Sequence, residues 1–228
     1  MAVRGRTLRL AGIAMTLTLA LSACTGDNAD DSGTSGDASP KRTQPSDITG
    51  PIKAAAQSAG SVVVNRTEVS GSDDGGEPTH EEIETSFAEP VSARVLHVGD
   101  EIWTLDVVDG VGYLKDQSER KSNNRWEKLD AAATADRLEH GTLAGLLGVL
   151  DGATALPETA TASVRGVDAT CHTFPLSGGA DATARVCVDN QQRPVELVET
   201  NGDQTNTSVF TNWGVAIDAI APPAHLVD

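Results

Sequence analysis

"VLHVGDEIWTLDVVDGVGYLK" occupies residues 95–115 and carries two tight-turn signals, Gly99-Asp100 and Asp109-Gly110. Such dipeptides, set between runs of apolar and β-branched residues, mark two-residue β-hairpins and fix strand register. Around the first turn Leu96 falls opposite Trp103 and Val98 opposite Glu101. Around the second, Leu105 falls opposite Leu114 and Val107 opposite Gly112. Residues directly opposite share a face. One face therefore gathers Leu96, Val98, Trp103, Leu105, Val107 and Leu114. The other holds Val95, His97, Ile102, Thr104, Asp106, Tyr113 and Lys115. The first face is the drier, which predicts an antiparallel meander with one side turned to a core.

Working towards the N-terminus, strands are expected over 91–98, 81–88 and 61–69, preceded by a short Ala-rich helix over 51–59. Asp47 or Thr49 could cap that helix, and Gly60 could end it. The acidic pairs Asp73-Asp74 and Glu81-Glu82 lack the regular Asp spacing and central Gly of a calcium loop and read as solvated turns. Towards the C-terminus, 125–129 adds a strand. Residues 130–152 read as helix, with Asp130 as N-cap and a break near Gly141. Strands follow over 163–174, 183–189, 194–200 and 205–213, with another hairpin signal at Asn201-Gly202. Runs of antiparallel strands with segregated helices give an α+β fold. The leucine-rich insert must bury one side, and the dry face of the sheet is the surface it can cover.

The N-terminus is a processing signal. Arg4, Arg6 and Arg9 precede an apolar stretch over 10–21, too short for the ~20 residues a membrane-spanning helix needs. It ends Leu21-Ser22-Ala23-Cys24, which resembles the bacterial lipobox. Residues 1–23 are accordingly expected to be removed and Cys24 to receive a diacylglyceryl group, and acyl chains in pairs anchor stably. Residues 25–46 contain no apolar side chain larger than Ala and are expected to be a disordered tether with a reach of roughly 25 Å. Residues 47–228 form the single expected domain. Lipidation of Cys24 leaves Cys171 and Cys187 as a pair, 16 residues apart, expected to form a structural disulfide in an oxidising compartment. A redox-active pair is the alternative, without a C-x-x-C or a flanking base to support it.

The formal net charge is -16, and losing the three N-terminal arginines leaves 14 basic against 33 acidic residues. Such a surface repels phosphate backbones, so neither nucleic acid nor anionic headgroups are expected as electrostatic partners. His80, His97, His140, His172 and His225 show no metal-ligand spacing, and no nucleophile-elbow, P-loop or dinucleotide motif occurs. No metal, cofactor or enzymatic activity is expected.

Several weak motifs, taken in order, carry a resemblance. These are the lipobox at Cys24, the tether, "VVDGVGYLK" (107–115), the helical insert, "VDNQQRPVEL" (188–197) and "FTNWGVAIDAIAPPAHLVD" (210–228). The chain resembles the LppX/LprG-type lipoproteins of actinobacterial envelopes, related in fold to the LolA/LolB lipoprotein carriers. The resemblance implies a large antiparallel half-barrel sheet with helices on its concave face, and a non-enzymatic protein that binds or moves lipids or lipoglycans. The expected site for an acylated ligand places Leu143, Leu146 and Leu147 as a lid over Leu96, Trp103, Leu105 and Leu114. The alternative is a protein-interaction module of an envelope sensor or transporter, with a closed core and an acidic working surface. A monomer, tethered outside the cytoplasmic membrane, is expected in either case.

Overall fold

The Asp109-Gly110 turn forms as its sequence dictates. In the computed structural model both residues have positive φ, 52° and 79°, and Leu105 pairs with Leu114 and Val107 with Gly112. The first turn differs. Leu96 pairs with Thr104, His97 with Trp103 and Val98 with Ile102, so its loop holds three residues, 99–101, closed by the Gly99 N–H donating to the Glu101 carbonyl at 3.0 Å. One extra loop residue slides the register by one, and a slip of one transfers every side chain of a strand to the other face. Val95 and His97, not Leu96 and Val98, therefore join Trp103, Leu105, Val107 and Leu114 on the dry side.

The structure describes residues 47–71, 77–118, 124–177, 179 and 181–228. The residues read as signal segment and tether, Cys24 and the Asp73-Asp74 pair lie outside them. The strands are β1 (Ser61–Ser70), β2 (Thr79–Ser86), β3 (Ala93–Val98), β4 (Ile102–Val108), β5 (Val111–Asp116) and β6 (Glu127–Lys128), then β7 (Thr159–Val164), β8 (Val167–Pro175), β9 (Thr183–Val188), β10 (Pro194–Asn201) and β11 (Gln204–Thr211). They form one open sheet in the order β6-β5-β4-β3-β2-β1-β11-β10-β9-β8-β7. Two sequential meanders thus meet at a single seam, where β1 pairs antiparallel with β11. The one strand expected over 163–174 is two, because Arg165 and Gly166 adopt positive φ and turn the chain so that Val164 pairs with Val167. The hairpin near Asn201 turns one residue later than expected, with Asn201 opposite Gln204.

The helices are α1 (Thr49–Ala59), α2 (Ala131–Arg137) and α3 (Leu143–Leu147). Gly60 ends α1 in the left-handed region, and Asp130 caps α2 by accepting the Ala133 N–H at 2.8 Å. The break near Gly141 is a 3-10 turn over Glu139–Gly141, after which Thr142 caps α3. Two glycines set how closely the insert packs. A Cβ on Gly112 would lie 2.5 Å from the Thr134 hydroxyl of α2, and one on Gly145 would lie 1.9 Å from the Glu139 carbonyl.

Helices and sheet share one apolar core. Val64, Ile83, Leu105, Val186, Leu197 and Phe210 enter it from the sheet, and Ile52, Leu138, Leu147 and Leu150 from the helical segments. The architecture is therefore α+β, an open sheet not closed into a barrel. The opposite face carries the Cys171–Cys187 disulfide, a directly opposed pair on β8 and β9, in a small cluster with Ala169 and Val195. Beyond β11 the chain passes Ser61, where the Gly214 N–H donates to the Ser61 carbonyl at 3.0 Å. It then runs to the β6 edge, where the Trp126 N–H donates to the Leu226 carbonyl at 2.7 Å.

Candidate functional site

Six of the seven residues expected around a greasy cavity do converge, but on one another. Leu105 and Leu147 are fully buried, Leu146 and Trp103 nearly so, and the half-buried Leu114 and Leu143 pack against the same cluster. Leu96 stands on the other face, beside Val98 and Ile102. Cavities of about 520, 560, 430 and 360 Å³ open among the described residues, and none of these has any of the seven in its wall. Apart from Leu96, the leucine lid and its floor pack into the shared core.

Along the sheet the inward face changes character. Cross-strand pairing lines up Trp103, His97, Glu81, Arg66, Ser208, Leu197 and Val186 as one row over β4, β3, β2, β1, β11, β10 and β9. At its centre Glu81 accepts from Arg66 Nη1 at 3.2 Å and from His97 Nδ1 at 3.1 Å. His140, from the turn that breaks the insert, brings Nδ1 to 3.3 Å from Glu81 Oε2 and 2.6 Å from Arg66 Nη1. A guanidinium only donates, so His140 Nδ1 can accept from Arg66 or donate to Glu81, but not both. Burial by itself raises the Glu81 pKa. The hydrogen bonds of His140 and His97, with the charges of His140 and Arg66, more than reverse this and lower it to about 2. The His97 ring stacks on Trp103 at 4.7 Å, and the Arg137 guanidinium of α2 lies over the same indole at 5.2 Å. Two histidines that look scattered in the sequence therefore meet, and Glu81 is a half-buried, inward-facing strand residue instead of part of a solvated turn. Among the described residues no group of His, Cys, Asp or Glu has metal-binding geometry.

One register step further along, the inward face opens into the cavity of about 520 Å³. Glu199 of β10 lies opposite Asn206 of β11, which lies opposite Glu68 of β1. The polar wall is made by Asp151, Ser177, Glu199, Thr200, Asn201, Gln204 and Asn206. The apolar wall is made by Val149 and Ala153, which follow α3, together with Pro175 at the end of β8 and Leu176 and Ala182 in the loop to β9. Asn206 Oδ1 is buried there with no hydrogen-bond donor. Burial raises the Glu199 pKa, against the pull of Arg66 and His140 and with the push of Glu68. Buried acceptors normally find donors, so this wall is unfinished as protein structure. It was not legible from the sequence, because Glu199 and Asn206 alternate with neighbours as solvent-facing strand residues do.

No family model matches the chain, and no curated protein does. Among solved structures the fold is similar to that of the Mycobacterium tuberculosis lipoprotein LppX, with TM-score 0.49, 16% identity, and 77% of this chain and 100% of that one covered. It is also similar to LprF from Mycobacterium bovis, with TM-score 0.48, 10% identity, and 78% and 98% covered. A LolA superfamily protein from Nitrosomonas europaea gives TM-score 0.32 and 9% identity, with 72% and 90% covered. These likenesses are of fold and extend no further.

Proposed function

We propose that this chain is a non-enzymatic envelope lipoprotein that holds a hydrophobic or acylated ligand in the cleft between the β9–β11 end of the sheet and the segment after α3. A diacylglyceryl group on Cys24 anchors it, and residues 25–46 let the folded part stand off the membrane. Val149, Ala153, Pro175, Leu176 and Ala182 take the apolar part of the ligand, and Glu199 and Asn206 face its polar end. The observation that carries this reading is the cleft itself. Its volume of about 520 Å³ falls in the range of small-molecule sites, roughly 300–1,000 Å³, and such sites pair apolar walls with a few convergent polar groups. The packed leucine core favours the second reading, a protein-interaction module without a ligand.

Native mass spectrometry of the full chain released from its membrane separates the two. Mass beyond the thioether-linked lipid that disappears on organic extraction is the expected result, and the extract then identifies the ligand. A chain carrying only its anchor turns the assignment to the interaction module. An unmodified Cys24 removes the anchor from the reading.

A further inference from the structure

The cleft's lining narrows the chemistry of what it takes, on the reading that the cleft is a ligand site. Asp151 and Glu199 border it, and among the described residues no Lys or Arg does. Arg66 is paired with Glu81, and Lys53 with Asp151 at the cleft's border, so these ion pairs leave out Glu199. Glu68 accepts from Gln204 Nε2 at 2.6 Å. Glu199 and Asn206 Oδ1 stand side by side as cross-strand partners, and Asn206 Oδ1 lacks a donor. A carboxylate or phosphate head would add like charge beside Glu199 and bring no donor to Asn206 Oδ1. The geometry points to an amphiphile with a primary ammonium head, seated between Glu199 and Asn206 with its apolar chain along Val149, Leu176 and Ala182. An ammonium supplies three donors and one positive charge in a single compact group. That gives Glu199 a counter-charge and, once the amide turns towards the cleft, gives Asn206 Oδ1 a donor. The raised pKa of Glu199 agrees, because it marks a carboxylate whose charge the protein leaves poorly compensated.

The test uses the chain carrying Cys24→Ser, which removes the anchor, and three ligands of equal chain length: octylammonium, octyl glucoside and octanoate. Binding is read by calorimetry at neutral pH. Octylammonium is expected to bind about tenfold or more tighter than the other two, with octanoate weakest. Glu199→Gln should remove most of that preference and leave octyl glucoside unchanged. Asn206→Asp, which keeps the shape and adds a charge, should strengthen octylammonium binding. Octanoate or octyl glucoside binding as tightly as octylammonium overturns the inference. So does Glu127→Gln, on the exposed far edge β6, weakening octylammonium as much as Glu199→Gln, because the attraction is then only that of an acidic surface. Binding of none of the three overturns the cleft as a ligand site, and the inference with it.

Discussion

Glu81 faces inward from β2 because Ile83, two residues on, does so, and strand side chains alternate with period two. Its partners come from three other segments, Arg66 from β1, His97 from β3 and His140 from the insert. A carboxyl whose folded pKa is about 2, against an ordinary 4.5, contributes stability that is fully present above about pH 4.5 and is lost as pH falls towards 2. The contribution is of order 3 kcal/mol at neutral pH. Urea unfolding followed from pH 6 to pH 2.5 should show this acid slope, and Glu81→Gln should flatten it. A variant that keeps the slope would assign it to another carboxylate. Glu199 carries the opposite sign. Burial raises its pKa, so its charged form is penalised at neutral pH, and Glu199→Gln should leave the melting temperature unchanged or raise it. A clear drop in melting temperature would mean that the carboxylate holds the fold together.

The insert depends on glycine at the places where it touches itself and the sheet. Gly145→Ala would drive a methyl group into the Glu139 carbonyl, and Gly112→Ala would drive one into Thr134. Overpacking of this kind costs roughly 1–3 kcal/mol, more where backbone must move, so Gly145→Ala is expected to be the worse in chemical denaturation. Equal stability of both variants with the parent would show that the insert can lift without loss. These elements also show what was legible beforehand. Asp109-Gly110 fixed its hairpin because few residue pairs accept positive φ at both central positions. Gly99-Asp100-Glu101 admits both a two-residue and a three-residue loop, and only the burial of Val95 and Ala93 decides between them. Arg165-Gly166 was missed because Arg gives no turn signal. The helix break and the Asp130 cap were readable because capping is local. The meeting of Glu81, Arg66, His97 and His140 was not, because it is set by pairing between segments distant in sequence.

At the scale of the molecule, the disulfide staples β8 to β9 on the face away from the cleft. Cys171→Ala together with Cys187→Ala should therefore lower stability by about 3 kcal/mol while leaving ligand binding near that of the parent wherever the chain remains folded. Loss of binding in a folded variant would show that the staple shapes the cleft after all. The seam has a different kind of consequence. β1 lies between its immediate successor β2 and β11, the last strand of the sheet. Glu68 and Arg66 stand on the early side of that seam, and Asn206 and Glu199 on the late side. Pairings so distant along the chain form slowly, because the long loop must close before any contact rewards it. A chain crossing a membrane from its N-terminus would assemble the first meander while the exposed flank of β1 waited for a partner that arrives last. The cleft thus comes into being only at the final step of folding. A chain stalled or cut short before Gln204 would present an open strand edge to its neighbours and have nowhere to hold a cargo.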